Sequence, residues 1–345
     1  MSDSTGWTFF RAGETDAEEC VRVLNEHFGA MSLEYYRWFF HRSPHGPGLC
    51  ITARHGAETI AHQAIARHDL MMTGGDRIPA GQSSCLVVAP AYRGRGVFPR
   101  ISAECFSFAE ESGLDVVFFF QAGDVRSLPW YRRMGCIDLG VMPVVKRPLL
   151  PSRVAARKWG RWAGMAAKAG DFAWTLAHPL PGSDVILSPI DEFTQDFIFP
   201  TLGPEKGIST VRDPHYLNFR FREDPLRRYE ILGATRGERK CGYVVFAVDR
   251  SHPDKWNLID LSVAAGSEEA VLSSALREAR RRGASAIYSW DSTNALMRRT
   301  FSGLEFRRVA GVHGRLLVWI SRRRQDLRAL SLEEWLLTMG DSDLY

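Results

Sequence analysis

Apolar residues recur along the chain in two rhythms. Residues 49–53 and 60–65 are apolar runs separated by a polar, glycine-bearing stretch at 54–59; residues 229–235 and 241–248 repeat this around 236–240. Such patterns predict hairpins. The first follows Tyr35-Tyr36-Arg37-Trp38-Phe39-Phe40-His41-Arg42-Ser43-Pro44, and the second follows Tyr216-Leu217-Asn218-Phe219-Arg220-Phe221-Arg222-Glu223-Asp224-Pro225. Both blocks have Tyr first, a ring fourth, Phe sixth and Pro tenth. Further on, a helical pattern stops at Gly113 in one half and at Gly283 in the other. Short apolar runs follow at 116–120 and 286–290, then helices ending at Gly135 and Gly303. Three matches in the same order predict a duplication, hence a mixed-sheet α/β (α+β) fold of two similar units.

A different rhythm lies between them. Ala155, Trp159, Trp162, Ala166, Ala169, Ala173 and Leu176 are spaced 4, 3, 4, 3, 4, 3, which predicts one apolar stripe on a single helix. Arg153, Arg157, Lys158, Arg161 and Lys168 make its remainder basic, and the run from His178 through Pro179, Leu180 and Pro181 to Gly182 ends it. Such a helix is either a linker packed on one or both domains or lies on a membrane surface. The expected division is a first domain at 1–150, a linker helix at 151–182 and a second domain at 183–345.

Composition narrows the class. The 345 residues are 45% apolar and 24% charged, values of a folded chain rather than a disordered one. No run is long and apolar enough for a spanning helix, and the start at Met1 lacks the charged-then-apolar order of a secretory signal. Basic and acidic residues number 44 and 40, giving a net +4; six of the bases are Lys and 38 are Arg. This small surplus does not point to nucleic acid. The six cysteines, Cys20, Cys50, Cys85, Cys105, Cys136 and Cys241, form no C-x-x-C pair and have no metal-ligand spacing. We expect no metal, and a reduced, cytoplasmic compartment. Oligomeric state is not encoded in these patterns.

The strongest chemical signal is local. The β-type run Ser83-Ser84-Cys85-Leu86-Val87-Val88 leads through Ala89-Pro90-Ala91-Tyr92 into Arg93-Gly94-Arg95-Gly96-Val97-Phe98. A helical pattern with Phe98, Ile101, Cys105, Phe108 and Ala109 on one face follows. A strand thus feeds a glycine loop that opens a helix. Unpaired amides and the positive dipole end meet there, and Gly94 and Gly96 leave the backbone bare to an anion. Arg93 and Arg95 add charge. Either this is a pyrophosphate cradle or a glycine turn with surface arginines. A Walker loop needs Gly-Lys-Ser/Thr, and the dinucleotide motif needs a third glycine where Pro99 stands.

The segment Tyr92-Arg93-Gly94-Arg95-Gly96-Val97 resembles the Arg/Gln-x-x-Gly-x-Gly/Ala loop of the GNAT superfamily of acetyl-coenzyme A-dependent acyltransferases, in its common Tyr-Arg-Gly-x-Gly form. The stretch 124–136 is similar to that family's Asn-x-x-Ser/Ala-x-x-x-Tyr-x-x-x-Gly-Phe: Tyr131 and Gly135 match, while Asp124 replaces Asn and Cys136 an aromatic. Residues 7–148 carry the resemblance well and the second half more weakly, so that the whole resembles tandem-GNAT bacterial proteins. The second half holds Ser262-Val263-Ala264-Ala265-Gly266-Ser267-Glu268 where the loop belongs, a degenerate copy.

The resemblance implies direct attack of an acceptor amine on the thioester of acetyl-CoA. Amides from about Arg95 to Phe98 would hold the pyrophosphate, and Leu86, Val87 and Val88 would line the pantetheine arm, with Arg93, Gly94, Gly96 and Val97 completing the cofactor site. Tyr131 is the candidate acid for the CoA thiolate, its phenol being protonated at neutral pH; Ser127 is the alternative partner of the thiolate or of CoA. No base stands out. Glu34, His41, His62 and Asp69 border the expected acceptor region. Trp290 and Asp291 are conceivable walls of it. The tail, with Asp341 and Asp343, either folds over a cationic acceptor or frays, although Trp335, Leu336, Leu337 and Met339 argue for docking before Gly340. The expected activity is acyl transfer to a small-molecule amine, without nucleic acid. The competing readings are a non-catalytic CoA-binding sensor and an aminoacyl-tRNA-dependent transferase.

Overall fold

The computed structural model describes residues 6–29, 31–122, 126–200, 207–249, 251–291 and 295–342. It divides into two units, each discontinuous in sequence: residues 1–141, 223–226 and 314–332 in the first, and 142–222, 227–313 and 333–345 in the second. The simple division at 150 and 182 is therefore corrected. The ends of two long strands cross over, and 151–182 groups with the second unit rather than standing apart.

In the first unit, β1 (Trp7–Ala12) precedes α1 (Ala17–Phe28) and α2 (Leu33–His41). Ser32 caps α2 by accepting the Tyr35 amide at 3.1 Å. The predicted hairpin is β2 (Leu49–His55) with β3 (Glu58–Arg67); short β4 (Leu70–Met72) and β5 (Arg77–Ile78) lead to β6 (Ala80–Val88). Then come α3 (Val97–Glu111), β7 (Val116–Ala122), α4 (Leu128–Arg133) and β8 (Ile137–Pro148). The sheet runs β1-β2-β3-β6-β7, antiparallel except for the parallel β6–β7 pair, and residues 314–320 close it antiparallel to β7. Helix α3 lays Val97, Ile101, Cys105, Phe106 and Ala109 into a core with Ile51, Ile60, Val117 and Leu317.

The second unit starts from α5 (Pro151–Trp159), α6 (Arg161–Ala166) and α7 (Lys168–Ala177). The single helix expected here is thus three short ones. Gly160 sits at φ 89°, a left-handed conformation that ends α5 while the apolar spacing runs on. Beyond lie β9 (Val185–Pro189), β10 (Ile208–Thr210), α8 (Pro214–Phe221), β11 (Tyr229–Arg236), β12 (Arg239–Val248), β13 (Lys255–Val263), α9 (Glu268–Arg281), β14 (Ala286–Trp290), α10 (Ala295–Gly303) and β15 (Arg307–Ile320). Its sheet runs β9-β11-β12-β13-β14, again with one parallel pair, β13–β14, and residues 144–148 of β8 close it antiparallel to β14. Both units follow one plan of strand order and direction. Among the described residues no helix is long and apolar enough to cross a membrane, and no cluster of His, Cys, Asp and Glu suits a metal.

Candidate active site

The parallel strands β6 and β7 pair only at their starts, Ala80 with Val116, Gly81 with Val117 and Gln82 with Phe118. Past Phe118 the other edge of β7 stays paired with residues 314–320. The sheet therefore opens between the second half of β6 and that of β7, and backbone groups of β6 face a gap rather than a neighbour. On its other side β6 carries a bulge. Val88 and Val87 pair with Ala61 and His62, after which the register jumps to Ser84 opposite Ala64. Cys85 takes φ 56° to make the jump, which twists the strand at the opening. Of the strand residues proposed to line the pantetheine arm, Val87 is buried and Leu86 and Val88 are half-buried.

The loop after β6 is held from several sides. The Ala89 amide donates to Ile60 O at 2.8 Å, and a tight turn over Pro90–Tyr92 follows. Tyr92 Oη donates to Glu58 Oε2 at 2.9 Å and lies 3.0 Å from His55 Nδ1, which ties the loop to the β2–β3 turn. Arg93 Nε donates to Val88 O at 3.0 Å, so this arginine braces the loop as well as charging it. Gly94 and Gly96 adopt φ 75° and 88°, and a Cβ on either would meet nothing within 4 Å. Helix α3 then starts with no side-chain cap and no acid in its first turn. Its Val97 and Phe98 amides lack the usual partners, and Pro99 has no amide to offer.

In front of this helix end lies a cleft of about 490 Å³ lined by Val88, Tyr92, Arg93, Gly94, Gly96, Val97, Phe98, Pro99, Arg126, Ser127 and Trp130. The structure thus brings the loop residues together with Ser127. Arg95 does not line it; its guanidinium lies 5.8 Å from the Tyr92 ring centroid. Ser127 precedes α4, and its Oγ accepts from Gln121 Nε2 at 2.5 Å. Tyr131, one turn on, is 7% exposed and packs its ring on Phe119 at 4.5 Å and edge-on to Phe98 at 5.3 Å. Burial raises its phenol pKa far above the ordinary value, so it is protonated at any physiological pH. Gly135 at φ 83° and the Cys136 amide bonded to Tyr131 O end α4 in a left-handed cap, and Cys136 is buried in the same core. Asp124 lies outside the described residues.

The other proposed residues stand elsewhere. Glu34 is exposed. Asp69 takes Arg77 Nε at 3.0 Å, Arg67 Nη2 at 3.3 Å and the Ala80 amide at 3.2 Å, a clamp on the β4–β6 corner. His62 is fully buried at the bulge with its pKa pulled down to about 3 by desolvation, so it is neutral. Its Nε2 is 3.4 Å from Tyr36 Oη, which donates to Cys50 Sγ at 3.2 Å. Burial also lowers the pKa of the half-buried His41. The bulge at Cys85, Gln121 and Trp130 were not visible in the sequence; the local pattern gives no reason to single them out.

In the second unit β13 and β14 likewise part after Asn257 and Tyr288, and Ile259 forms the bulge. A small cavity of about 80 Å³ is walled by Leu258, Leu261, Trp290, Phe301, Leu336 and Leu337, among others. Asp291 is buried against Arg308 Nη2 at 2.7 Å. At the start of α9 the Glu268 carboxylate accepts the Gly266 amide at 3.0 Å and is buried. The idea of a frayed or roaming acidic tail is corrected for its described part. Trp335, Leu336, Leu337 and Met339 are buried, and Asp341 accepts from Arg212 Nη2 at 2.8 Å and Thr210 Oγ1 at 2.5 Å. Arg212 Nη2 also reaches Asp260 at 3.1 Å. Asp343 lies outside the described residues.

Comparison with known proteins agrees with this geometry. Residues 9–137 match the family model "Acetyltransferase (GNAT) domain". No curated protein sequence matches the chain. Among solved structures it is similar to a GCN5-related N-acetyltransferase from Anabaena variabilis ATCC 29413, with 11% identity, TM-score 0.62, and 91% of this chain and 72% of that one covered. It is similar to a conserved protein of unknown function from Enterococcus faecalis V583, described as a probable N-acyltransferase, at 9% identity, TM-score 0.62 and the same coverage. It also resembles Saccharomyces cerevisiae N-myristoyltransferase with bound myristoyl-CoA, at 11% identity and TM-score 0.57 over 92% of this chain and 84% of that one. At such identities the likeness is one of fold. The stretch that matches this GNAT model, residues 9–137, carries most of the first unit's mixed α/β sheet together with its opened parallel pair.

Proposed function

We propose that the protein is an acyl-CoA-dependent N-acyltransferase whose donor site lies wholly in the first unit. The observation that carries the reading is the bare, acid-free start of α3 behind Gly94 and Gly96, set at the mouth of the β6–β7 opening. The amides of Gly96, Val97 and Phe98 take the pyrophosphate, with Arg93 and Arg95 neutralising charge. The pantetheine arm runs into the opening along Leu86, Val87 and Val88, where unpaired backbone groups of β6 can meet its amides. The acyl group is acetyl or another short chain, and the acceptor is a small-molecule amine; the site works in a reduced, cytoplasmic setting without a metal.

In the reaction the amine nitrogen attacks the thioester carbon, the C–S bond breaks, and the amine gives up one proton while the thiolate takes one. Tyr131 Oη supplies the thiolate's proton. Burial disfavours the phenolate this leaves, so the proton given up by the amine must return to it as the step completes. Ser127, fixed by Gln121, holds the sulfur or the pantetheine end. The second unit binds no CoA, because the Glu268 carboxylate already sits at its corresponding helix start.

The test is titration of the protein with acetyl-CoA and longer acyl-CoAs by calorimetry, followed by release of free thiol over a panel of amines. The expected result is saturable binding with one site per chain and amine-dependent thiol release. Binding without turnover on any amine would favour a CoA sensor, and no binding at all would refute the reading.

A further inference from the structure

The segment from α5 to α7 leaves five large apolar side chains uncovered. Trp159 is 67% exposed, Trp162 70%, Met165 58%, Phe172 70% and Leu176 65%. Trp162 and Met165 are three apart on α6, and Phe172 and Leu176 four apart on α7, so each pair shares a face. The opposite side of the segment is the packed one. Ser152, Ala155 and Gly164 are buried, and Gly164 fits so closely that a Cβ would lie 2.5 Å from Ala156 Cβ. Within the second unit Arg157 is paired with Asp254, and Arg280 Nη1 donates to Thr175 at 3.3 Å. The sequence stripe that promised a buried face is thus largely an outward one. Folded proteins rarely leave so much apolar surface bare without use.

The charge around it is of one sign. Arg153, Arg157, Lys158, Arg161 and Lys168 lie in residues 151–177 against one acid, Asp171, whose carboxylate takes the Ser152 amide at 2.9 Å and its hydroxyl at 2.5 Å. Lys158 Nζ sits 5.0 Å from the Trp159 ring and the Arg161 guanidinium 4.9 Å from the Trp162 ring. Neither these two nor Lys168 makes an ion pair among the described residues. Tryptophans bordered by free cations, with Met, Phe and Leu beside them, match the interface of an anionic bilayer. A second copy of the chain fits poorly. A two-fold contact would set this basic patch against itself. Nucleic acid fits the cations but not exposed Met165 and Leu176.

We propose that residues 151–177 form an in-plane docking surface for an anionic lipid bilayer, with Trp159, Trp162, Met165, Phe172 and Leu176 entering the interface and Lys158, Arg161 and Lys168 contacting headgroups. The proposal stands independently of acyl transfer.

The test is flotation of the full chain with vesicles of phosphatidylcholine alone and of phosphatidylcholine with phosphatidylglycerol. Two variants accompany it, Trp162→Ala/Phe172→Ala and Lys158→Gln/Arg161→Gln/Lys168→Gln. All five positions are exposed, so unchanged melting temperatures confirm that the fold is kept. The expected result is salt-sensitive binding to the anionic vesicles. The charge variant should bind them on the order of a hundredfold more weakly, at about fivefold per cation, and the apolar variant should not float. Absence of wild-type binding to anionic vesicles overturns the proposal. So does a wild-type dimer, seen by sedimentation, that falls apart in the apolar variant. Retention by RNA that depends on the cations and not on Trp162 and Phe172 also overturns it.

Discussion

Alanine at Gly96 separates what the loop does for folding from what it does for an anion. Gly96 has φ 88°, and a Cβ there meets nothing within 4 Å, so the folding cost of Gly96→Ala is backbone strain alone. For a left-handed L-residue that is about 1–2 kcal/mol, or a melting temperature lower by roughly 2–8 °C in a unit of this size. The new methyl also stands in the open space before α3, where a phosphate must approach. Loss of one charge-assisted hydrogen bond costs about 1.5–3 kcal/mol, which is roughly 10–150-fold in affinity for CoA. A matched control exists at the other end of the same helix. Gly113 has φ 82° and equally empty surroundings. Gly113→Ala should lose the same stability and keep full CoA affinity. Calorimetric titration of both variants with CoA decides the matter. Equal CoA affinity in Gly96→Ala, Gly113→Ala and wild type would refute the cradle, whatever the melting temperatures do.

Three further outcomes follow from the geometry. Tyr131→Phe should lower kcat by about 10²–10⁴ with little change in KM for the acyl donor, read by thiol release; an unchanged kcat would assign Tyr131 to packing. Asp341→Ala strips one carboxylate from Arg212, whose side chain is 8% exposed, and should cost about 3–5 kcal/mol in urea unfolding; a loss below about 1 kcal/mol would mean that the tail is not docked as described. His62 has a folded pKa of about 3 against an ordinary 6.5, so the unfolded chain binds the extra proton between those values and stability falls as pH drops through that window. His62→Gln should flatten that part of the stability-versus-pH curve, measured by urea midpoints; an unchanged slope would refute a buried neutral His62.

Where the sequence was legible, the physics was local. A strand, two glycines and an uncapped helix lie within sixteen residues, and each states its own conformation, so the loop at 93–98 could be read directly. The hairpins and the repeated Tyr-x-x-ring blocks were legible for the same reason. Distant partners were not. Asp341 looked like a tail charge because Arg212 and Thr210, which donate to it, are far away in sequence. The bulge was hidden because Cys85, not glycine, takes the positive φ. The broken linker misled in the opposite way. Its apolar spacing continues unaltered through Gly160, so periodicity outvoted the one residue able to stop the helix.

The two units differ most instructively at one place, the helix that joins the two strands of the opened pair. An acid in a first helical turn is favourable, because it meets unpaired amides and the dipole. The second unit places acids there, Glu268 and Glu269 in the first turn of α9, and buried Glu268 turns back to the Gly266 amide just ahead of the helix. The first unit forgoes it. Helix α3 starts from Gly96 without a cap, without an acid and beside two arginines, leaving unmet a contact worth about 1 kcal/mol. Packing does not require this, since the Gly94 and Gly96 positions face open space. A helix start kept bare at a cost in stability makes sense when its partner is an anion that arrives and leaves. This contrast is what favours the first unit as the donor site proposed above, since at α9 the Glu268 carboxylate turns back to the Gly266 amide just ahead of the helix.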